Sequence, residues 1–263
     1  MVLLWLFRTA DMLLMKRILS VLAAALSLMF TGSGARAQMP GGGQSGVNAA
    51  MLKLFSDISG FTSKAEARLT DKGTKEVTTM TMGFSMLERK VRLDLDMTQI
   101  KSKQVTKESV AALKTSGLDR LATVVRPDRK IALIIYPSIA GYVELPMSRD
   151  EAADMDRTYS VSKVKLGRET IDGHPCEQFK VTLSSANAPN QEAVVSYASD
   201  LRNFPVKIEM NQAETQLVML FKDVQLARPD VKIFEAPGGY TRHVNIELLM
   251  QSAMLKTLVQ PRK

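Results

Sequence analysis

Apolar and polar residues alternate one by one along many short stretches of the chain, as they do in β-strands that bury one face. The longest such stretch is 76–100, and a turn at Glu88-Arg89 divides it into two strands. Its apolar positions are Met80, Met82, Phe84, Met86, Val91, Leu93, Leu95 and Met97. Mostly polar residues occupy the positions between them. This pattern predicts an antiparallel sheet with one covered face and one solvated face.

A second alternating stretch, 161–183, carries Asp172-Gly173 near its centre. This dipeptide favours a tight β-hairpin, because both turn residues need φ > 0. Further strands are predicted at 61–70, 121–125, 131–136, 141–146, 192–198, 206–212 and 215–226. The chain therefore contains about ten or eleven strands joined by short connections.

Four stretches follow helical spacing instead, at 47–58, 106–117, 148–155 and 245–259. Thr106, Ser148 and Asn245 are good N-caps, and Glu151 completes a capping box with Ser148. Because an apolar sheet face needs a cover, we expect these helices to lie over it. The pattern as a whole predicts an α+β fold in which a curved antiparallel sheet, a half-barrel, is lidded by helices.

The first 37 residues have the pattern of a signal peptide. A basic segment at Met15-Lys16-Arg17 precedes an apolar run at 18–30, and Ala35-Arg36-Ala37 fits a cleavage site. We expect cleavage before Gln38, with Met15 rather than Met1 as the true start. The alternative is an uncleaved signal anchor. Residues 38–46 are then a flexible linker, and 47–263 form a single domain.

Composition and charge narrow the classes of function. The chain has 263 residues, 45% of them hydrophobic and 24% charged, which is ordinary for a folded protein. The leader carries four cations and one Asp, so removing its +3 from the net +8 leaves +5. This mild excess suits contact with anionic lipid head groups or acidic partners, but it favours a solvated surface with a small excess of lysine. Nucleic-acid binding is not expected, because aromatic residues are only 6% of the chain.

The sequence contains no recognisable catalytic motif. The chain has no nucleophile elbow, paired-His zinc motif, phosphate loop or dinucleotide fingerprint. Its one cysteine, Cys176, excludes an internal disulfide, and we expect it to be a buried structural residue. A thiol-dependent enzyme using Cys176 and His174 is the remaining alternative. We predict no catalytic residue, no metal and no cofactor.

Four stretches resemble a known group of proteins: 135–146, 166–181, 199–210 and 233–240. They are similar to the periplasmic lipoprotein-carrier superfamily, the LolA/LolB-like proteins, and especially to a related bacterial family of unassigned function. The resemblance implies a half-barrel lidded by helices, with a cavity between them that takes acyl chains. It also implies a periplasmic location.

The apolar residues of 76–100 are the candidate ligand-binding residues: Met80, Met82, Phe84, Met86, Val91, Leu93, Leu95 and Met97. Methionine suits surfaces that repack around varied apolar ligands, so this face could hold an acyl chain. Plain core packing under a helix is the alternative. A Cu(I) site is a third interpretation, because Met-Thr-Met offers two thioether sulfurs on one face.

These observations predict a periplasmic binding or carrier protein, not an enzyme, with an apolar cavity for the acyl chains of a lipid or lipoprotein. The alternative is a structural or interaction module of the cell envelope with a self-filled interior. Its partner would be an envelope protein that binds the terminal helix 245–259. Peripheral contact with a membrane is compatible with either function.

Overall fold

The computed structural model describes residues 49–186, 188–211 and 214–259. The predicted signal peptide 1–37, the linker 38–46 and the first two positions of the predicted helix 47–58 lie outside these residues.

Twelve strands form one sheet in the described part of the chain. They are β1 (Gly60–Asp71), β2 (Val77–Leu87), β3 (Lys90–Asp96), β4 (Arg120–Arg126), β5 (Ile131–Tyr136), β6 (Gly141–Pro146), β7 (Ser160–Ile171), β8 (His174–Ser185), β9 (Ala188–Ala198), β10 (Phe204–Asn211), β11 (Thr215–Gln225) and β12 (Thr241–His243). Their order in space is β12-β6-β5-β4-β3-β2-β1-β11-β10-β9-β8-β7.

The predicted fold class is confirmed, with one difference at the edge of the sheet. Neighbouring strands are antiparallel throughout, except that β12 pairs with β6 in parallel. The alternation of apolar and polar residues did not reveal β12, because it is three residues long. The sheet is therefore mixed and has one strand more than the upper estimate.

Four α-helices accompany the sheet in the described residues: α1 (Ala49–Lys53), α2 (Lys107–Ser116), α3 (Arg149–Met155) and α4 (Ile246–Val259). The predicted caps form as expected. The side chains of Thr106 and Ser148 accept hydrogen bonds from backbone N–H groups in capping boxes, and Asn245 Oδ1 accepts from Leu248 N at 2.8 Å. Helix α1 ends five residues earlier than predicted, at Lys53 rather than at position 58, because the chain turns after Lys53.

Curvature of the sheet follows from the connection between β6 and β7. These strands lie ten positions apart in the sheet, which corresponds to about 48 Å if the sheet were flat. The connection contains the seven-residue helix α3 and few other residues, so it spans at most about 35 Å. The sheet must therefore bend, and this connection crosses its concave side.

Buried apolar residues form two clusters, one on each face of the sheet. The main cluster contains Met155 and Tyr159 of the crossing connection, which places it on the concave face. The second cluster lies on the convex face of β4 and β5, where the segment 231–240 covers it and contributes Phe234. In the described residues, no helix is both long enough and apolar enough to span a membrane.

Candidate functional site

The eight predicted ligand-binding residues lie together on the concave face. Strands β2 and β3 pair so that Met82 faces Leu95, Phe84 faces Leu93 and Met86 faces Val91. Met97 follows directly after β3 and opens a short 3₁₀ helix. All eight are buried, with exposed fractions from 0% to 7%, and all belong to the main cluster. Their binding of a ligand remains a prediction.

Small residues on the next strand make room for the methionines. Met80 pairs with Ala67 and Met82 pairs with Ala65, and both alanines are fully buried. A methionine beside an alanine can extend its flexible side chain over the neighbouring strand without a clash. This part of the concave face is therefore lined by adaptable side chains.

A group of phenylalanines occupies the middle of the concave face. Phe55, just after α1, lies 5.2 Å from Phe61, 5.9 Å from Phe84, 5.7 Å from Phe204 and 5.5 Å from Phe221, measured between ring centroids. Phe61 and Phe84 also stack nearly parallel, with ring centroids 5.5 Å apart. We call Phe55, Phe61, Phe84, Phe204 and Phe221 the phenylalanine cluster.

Only Phe84 of this cluster was among the candidate residues. Phe55 stands in the apolar stripe of the predicted helix 47–58, and Phe61 opens a predicted strand. Phe204 and Phe221 come from strands that are distant in sequence. The antiparallel pairing of β1 with β11 brings one of these strands beside β1, and no local pattern in the sequence indicates that pairing.

The cover over the cluster is a short segment. The described part of helix α1 has five residues, and Ala49, Ala50, Met51 and Leu52 are buried in the main cluster. Its first described amide, Ala49 N, donates to Asp154 Oδ2 in α3 at 3.4 Å. A helix this short has little stability of its own, so its place over the sheet depends on these tertiary contacts.

Asp154 also fixes the crossing connection. Its Oδ1 accepts a hydrogen bond from Arg157 Nη1 at 2.7 Å and lies 3.5 Å from the Tyr159 hydroxyl. The hydrogen bond to Tyr159 and the nearby Asp154 charge raise the pKa of Arg157 despite its partial burial. Arg89, in the turn after β2, donates to the backbone carbonyl of Met155. These contacts tie α1 and α3 to the concave side of the sheet.

Polar groups line the end of the concave face at β7. Lys163 Nζ lies 4.2 Å from the ring centroid of Tyr197, which also packs edge-on against Phe179. Burial, followed by the nearby Asp57 charge, raises the pKa of Tyr197 to about 12. Tyr197 is therefore a neutral side chain at ordinary pH.

Cys176 and His174 each contact a different polar group. Cys176 is 3% exposed, and its Sγ donates to the backbone carbonyl of His174 at 3.3 Å. The His174 ring instead pairs with Asp200, with Nδ1 and Oδ2 2.8 Å apart. Burial raises the pKa of the Cys176 thiol, which disfavours the thiolate that a nucleophile needs.

The described side chains give no evidence of a metal site. They contain no group of three or more His, Cys, Asp or Glu residues arranged to hold an ion. The two sulfurs of Met80 and Met82 lie in the main cluster with exposed fractions of 1% and 5%. The Cu(I) interpretation stays untested.

Arginines on the convex face hold the segment 231–240, which we call the strap. Arg92 Nη1 donates to the carbonyl of Ile233 at 2.8 Å, and Arg126 Nη1 donates to that of Phe234 at 3.2 Å. Arg126 also pairs with Glu235. The strap carries the chain toward β12 and α4, so these contacts position the terminal helix.

The chain is similar to known proteins in structure but not in sequence. No family model matches the chain, and no curated protein matches it in sequence. Among solved structures, the chain is similar to lipoprotein LppX of Mycobacterium tuberculosis (TM-score 0.37, 9% identity), covering 66% of this chain and 91% of that one. It is similar to a LolA superfamily protein from Nitrosomonas europaea (TM-score 0.31, 13% identity), covering 72% of this chain and 98% of that one.

A third similar structure is LprF from Mycobacterium bovis, with a TM-score of 0.32 and 9% identity. The similarity covers 73% of this chain and 94% of that one. These structures include a member of the superfamily that the sequence motifs resemble. The fold assignment itself rests on the sheet and helices described above, and the function below is argued from the residues of this chain.

Proposed function

We propose that the chain is an extracytoplasmic carrier that binds an acyl chain of a lipid or lipoprotein against the concave face of its sheet. The observation that carries this proposal is the cover over the phenylalanine cluster. Phe84, near the middle of this face, is covered by the short helix α1 and the turn that bears Phe55. Such a segment can open without breaking the pairing of strands, because it is held by side-chain contacts and few backbone hydrogen bonds.

The free energies favour exchange of Phe55 for an acyl chain. Exposing a buried phenylalanine side chain costs about 1.5–3 kcal/mol, and burying each methylene contributes about 0.8 kcal/mol. About four methylenes therefore offset the displacement of the Phe55 ring alone. Opening the rest of the segment also exposes Met51, Leu52 and Leu54, so the remaining methylenes of a fatty chain must offset that cost. Met80, Met82 and Met86 can adjust their rotamers around the new occupant.

Truncation of Phe55 tests this function directly. We expect Phe55→Ala to bind a fluorescent fatty acid at least about tenfold more tightly than the wild type, because the occupant no longer has to displace a ring. Fluorescence titration measures the affinity. The variant should lose about 3–5 kcal/mol of stability, so urea unfolding must first establish that it is folded. Phe55→Leu is the milder variant if it is not.

The matched control is Phe234→Ala. Phe234 is also fully buried, but it lies in the second cluster on the convex face. It should lose similar stability without gaining affinity for the fatty acid. Absence of binding by both the wild type and Phe55→Ala would sink the proposal. Native mass spectrometry of protein purified from membranes identifies the natural ligand. A protein that carries no lipid would also contradict the proposal.

The second candidate function is an envelope interaction module with a self-filled interior. One observation favours it, because the phenylalanine cluster already fills the middle of the concave face. Here the wild type binds no acyl probe, and the terminal helix carries the function. Removing 245–263 should then abolish capture of an envelope partner, while it leaves the stacking of Phe55 on the sheet unchanged.

A further inference from the structure

The hydroxyl of Tyr197 has no hydrogen-bond partner among the described residues. Tyr197 is 5% exposed, and its ring packs edge-on against Phe179. In the described part of the chain, every side-chain nitrogen or oxygen that is sealed from solvent has a partner. The hydroxyl therefore lies at the small accessible surface that Tyr197 keeps. Because a buried tyrosine usually finds a partner for its O–H group, this donor is available to a bound molecule.

Lys163 places a positive charge beside this donor. It lies in β7 opposite Val181, which is fully buried in the main cluster, so both side chains project from the concave face. Its Nζ lies 4.2 Å from the ring centroid of Tyr197. Among the described residues, no carboxylate oxygen lies within 4.0 Å of this ammonium. We call Lys163 and Tyr197 the polar pair.

The charges next to the polar pair leave its ammonium without a counter-ion. Glu177 faces Tyr197 across β8 and β9, but it is already paired with Lys165 at 2.5 Å and with Arg168 at 3.5 Å. The face of an aromatic ring attracts an ammonium less strongly than an anion does. Lys163 can therefore turn toward an acid without breaking a stronger contact.

The polar pair lies one strand away from the phenylalanine cluster. Tyr197 of β9 pairs with Pro205 of β10. The residue before Pro205, Phe204, has its ring centroid 5.7 Å from that of Phe55. Asp57 follows Phe55 by two residues, and its charge contributes to the raised pKa of Tyr197, so it lies on this side of the cluster. The covering segment thus places a ring on the apolar face and a carboxylate toward the polar pair.

We propose that the polar pair binds the acidic head group of the acyl ligand, which is therefore an anionic amphiphile with a carboxylate or a phosphate at one end. This inference rests on the proposed function and adds the chemical class of the ligand. When the covering segment opens, Asp57 leaves together with Phe55. The ligand's acyl chain then replaces the ring, and its acid replaces the carboxylate. The ammonium and the neutral phenol both donate to the acid, and hydrogen bonds to a charged acceptor are stronger than those to a neutral one.

Probes that differ only in charge test this inference. Fluorescence titration compares a labelled fatty acid with its methyl ester, at a pH where the acid is ionised. We expect the wild type to bind the acid at least about tenfold more tightly, because the ester cannot accept charge-assisted hydrogen bonds. Lys163→Gln should remove most of this preference and leave the affinity for the ester unchanged. Tyr197→Phe should weaken binding of the acid about three- to tenfold without lowering the urea midpoint, because its hydroxyl has no partner to lose.

The matched control is Lys180→Gln. Lys180 lies in β8 between Phe179 and Val181, which both pack in the main cluster, so it projects from the convex face. This variant removes the same charge from the opposite side of the sheet and should keep the wild-type preference.

A second pair of probes distinguishes the two sources of the acid. Lysophosphatidylglycerol is compared with a monoacylglycerol that carries the same labelled chain. A preference that depends on Lys163 and is larger for the phosphate than for the carboxylate would identify a phospholipid as the ligand. A larger preference for the carboxylate would identify a fatty acid.

Three results would overturn the inference. Equal affinity of the wild type for charged and neutral probes would remove the anionic class and leave the acyl carrier intact. An unchanged preference in Lys163→Gln, or an equal loss in Lys180→Gln, would remove the polar pair as the site. Failure of all four probes to bind both the wild type and Phe55→Ala would contradict the proposed function itself, and this inference with it.

Discussion

Replacing Arg126 with Ala should destabilise the fold by releasing the strap from the convex face. The Arg126 side chain is 7% exposed and makes two hydrogen bonds to Asp128, from Nε at 2.9 Å and from Nη2 at 2.8 Å. Nη1 reaches Phe234 O at 3.2 Å and also pairs with Glu235. One guanidinium therefore joins β4, the turn after it and the strap.

The expected magnitude follows from what each partner does after the change. Breaking a fully buried ion pair costs about 3–5 kcal/mol. Here Asp128 and Glu235 are 47% and 42% exposed, so water replaces much of what they lose. The carbonyl of Phe234 is buried, so water replaces little of the hydrogen bond that it loses. That loss costs about 1–3 kcal/mol. We expect a total loss of about 2–3 kcal/mol, because the truncated arginine stem also loses packing.

Urea unfolding followed by circular dichroism measures this loss. With an m-value of about 2–3 kcal/mol/M, the midpoint should fall by about 1 M while m stays unchanged. Arg129→Ala is the matched control, because Arg129 contacts the same Glu235 at 3.2 Å but is 50% exposed. It should cost less than about 1 kcal/mol. A loss below about 0.5 kcal/mol in Arg126→Ala would refute the reasoning that the strap depends on this side chain.

Two further predictions concern titratable side chains. Burial raises the pKa of Tyr136 and of Tyr197 to about 12. The unfolded chain loses these protons near pH ~10, so the native state binds more protons between about pH 10 and 12, and stability should fall as pH rises through that range. Urea midpoints at rising pH check this, and Tyr136→Phe should weaken the fall; an unchanged slope would contradict it. Cys176, buried and with a raised pKa, should react with a thiol reagent more than about tenfold more slowly in the folded protein than in urea. Rapid labelling of the native protein would revive the thiol-enzyme alternative.

The sequence determined the elements of this fold. Alternation placed β2 and β3 and assigned all eight candidate residues to one face, because the side-chain period of a strand is two. N-cap residues indicated where α2, α3 and α4 begin, since the side chains of Thr106, Ser148 and Asn245 can accept hydrogen bonds from the free N–H groups of the first turn. Asp172 and Gly173 adopt φ values of 51° and 85°, as the predicted hairpin turn requires.

Tertiary structure alone decided how these elements combine. The pairing of β1 with β11 joins strands about 150 residues apart, and it brings Phe61 and Phe221 together around Phe55. Local patterns do not indicate such pairings, because several strands of this chain have the same alternation and the same backbone hydrogen-bonding groups. For the same reason, the sequence predicted helix α4 but could not show that Leu249 is buried while Leu248 and Leu255 face solvent. Both proposed sites depend on the long-range pairing of β1 with β11, because it places the segment that bears Phe55 and Asp57 over strands from the other half of the chain.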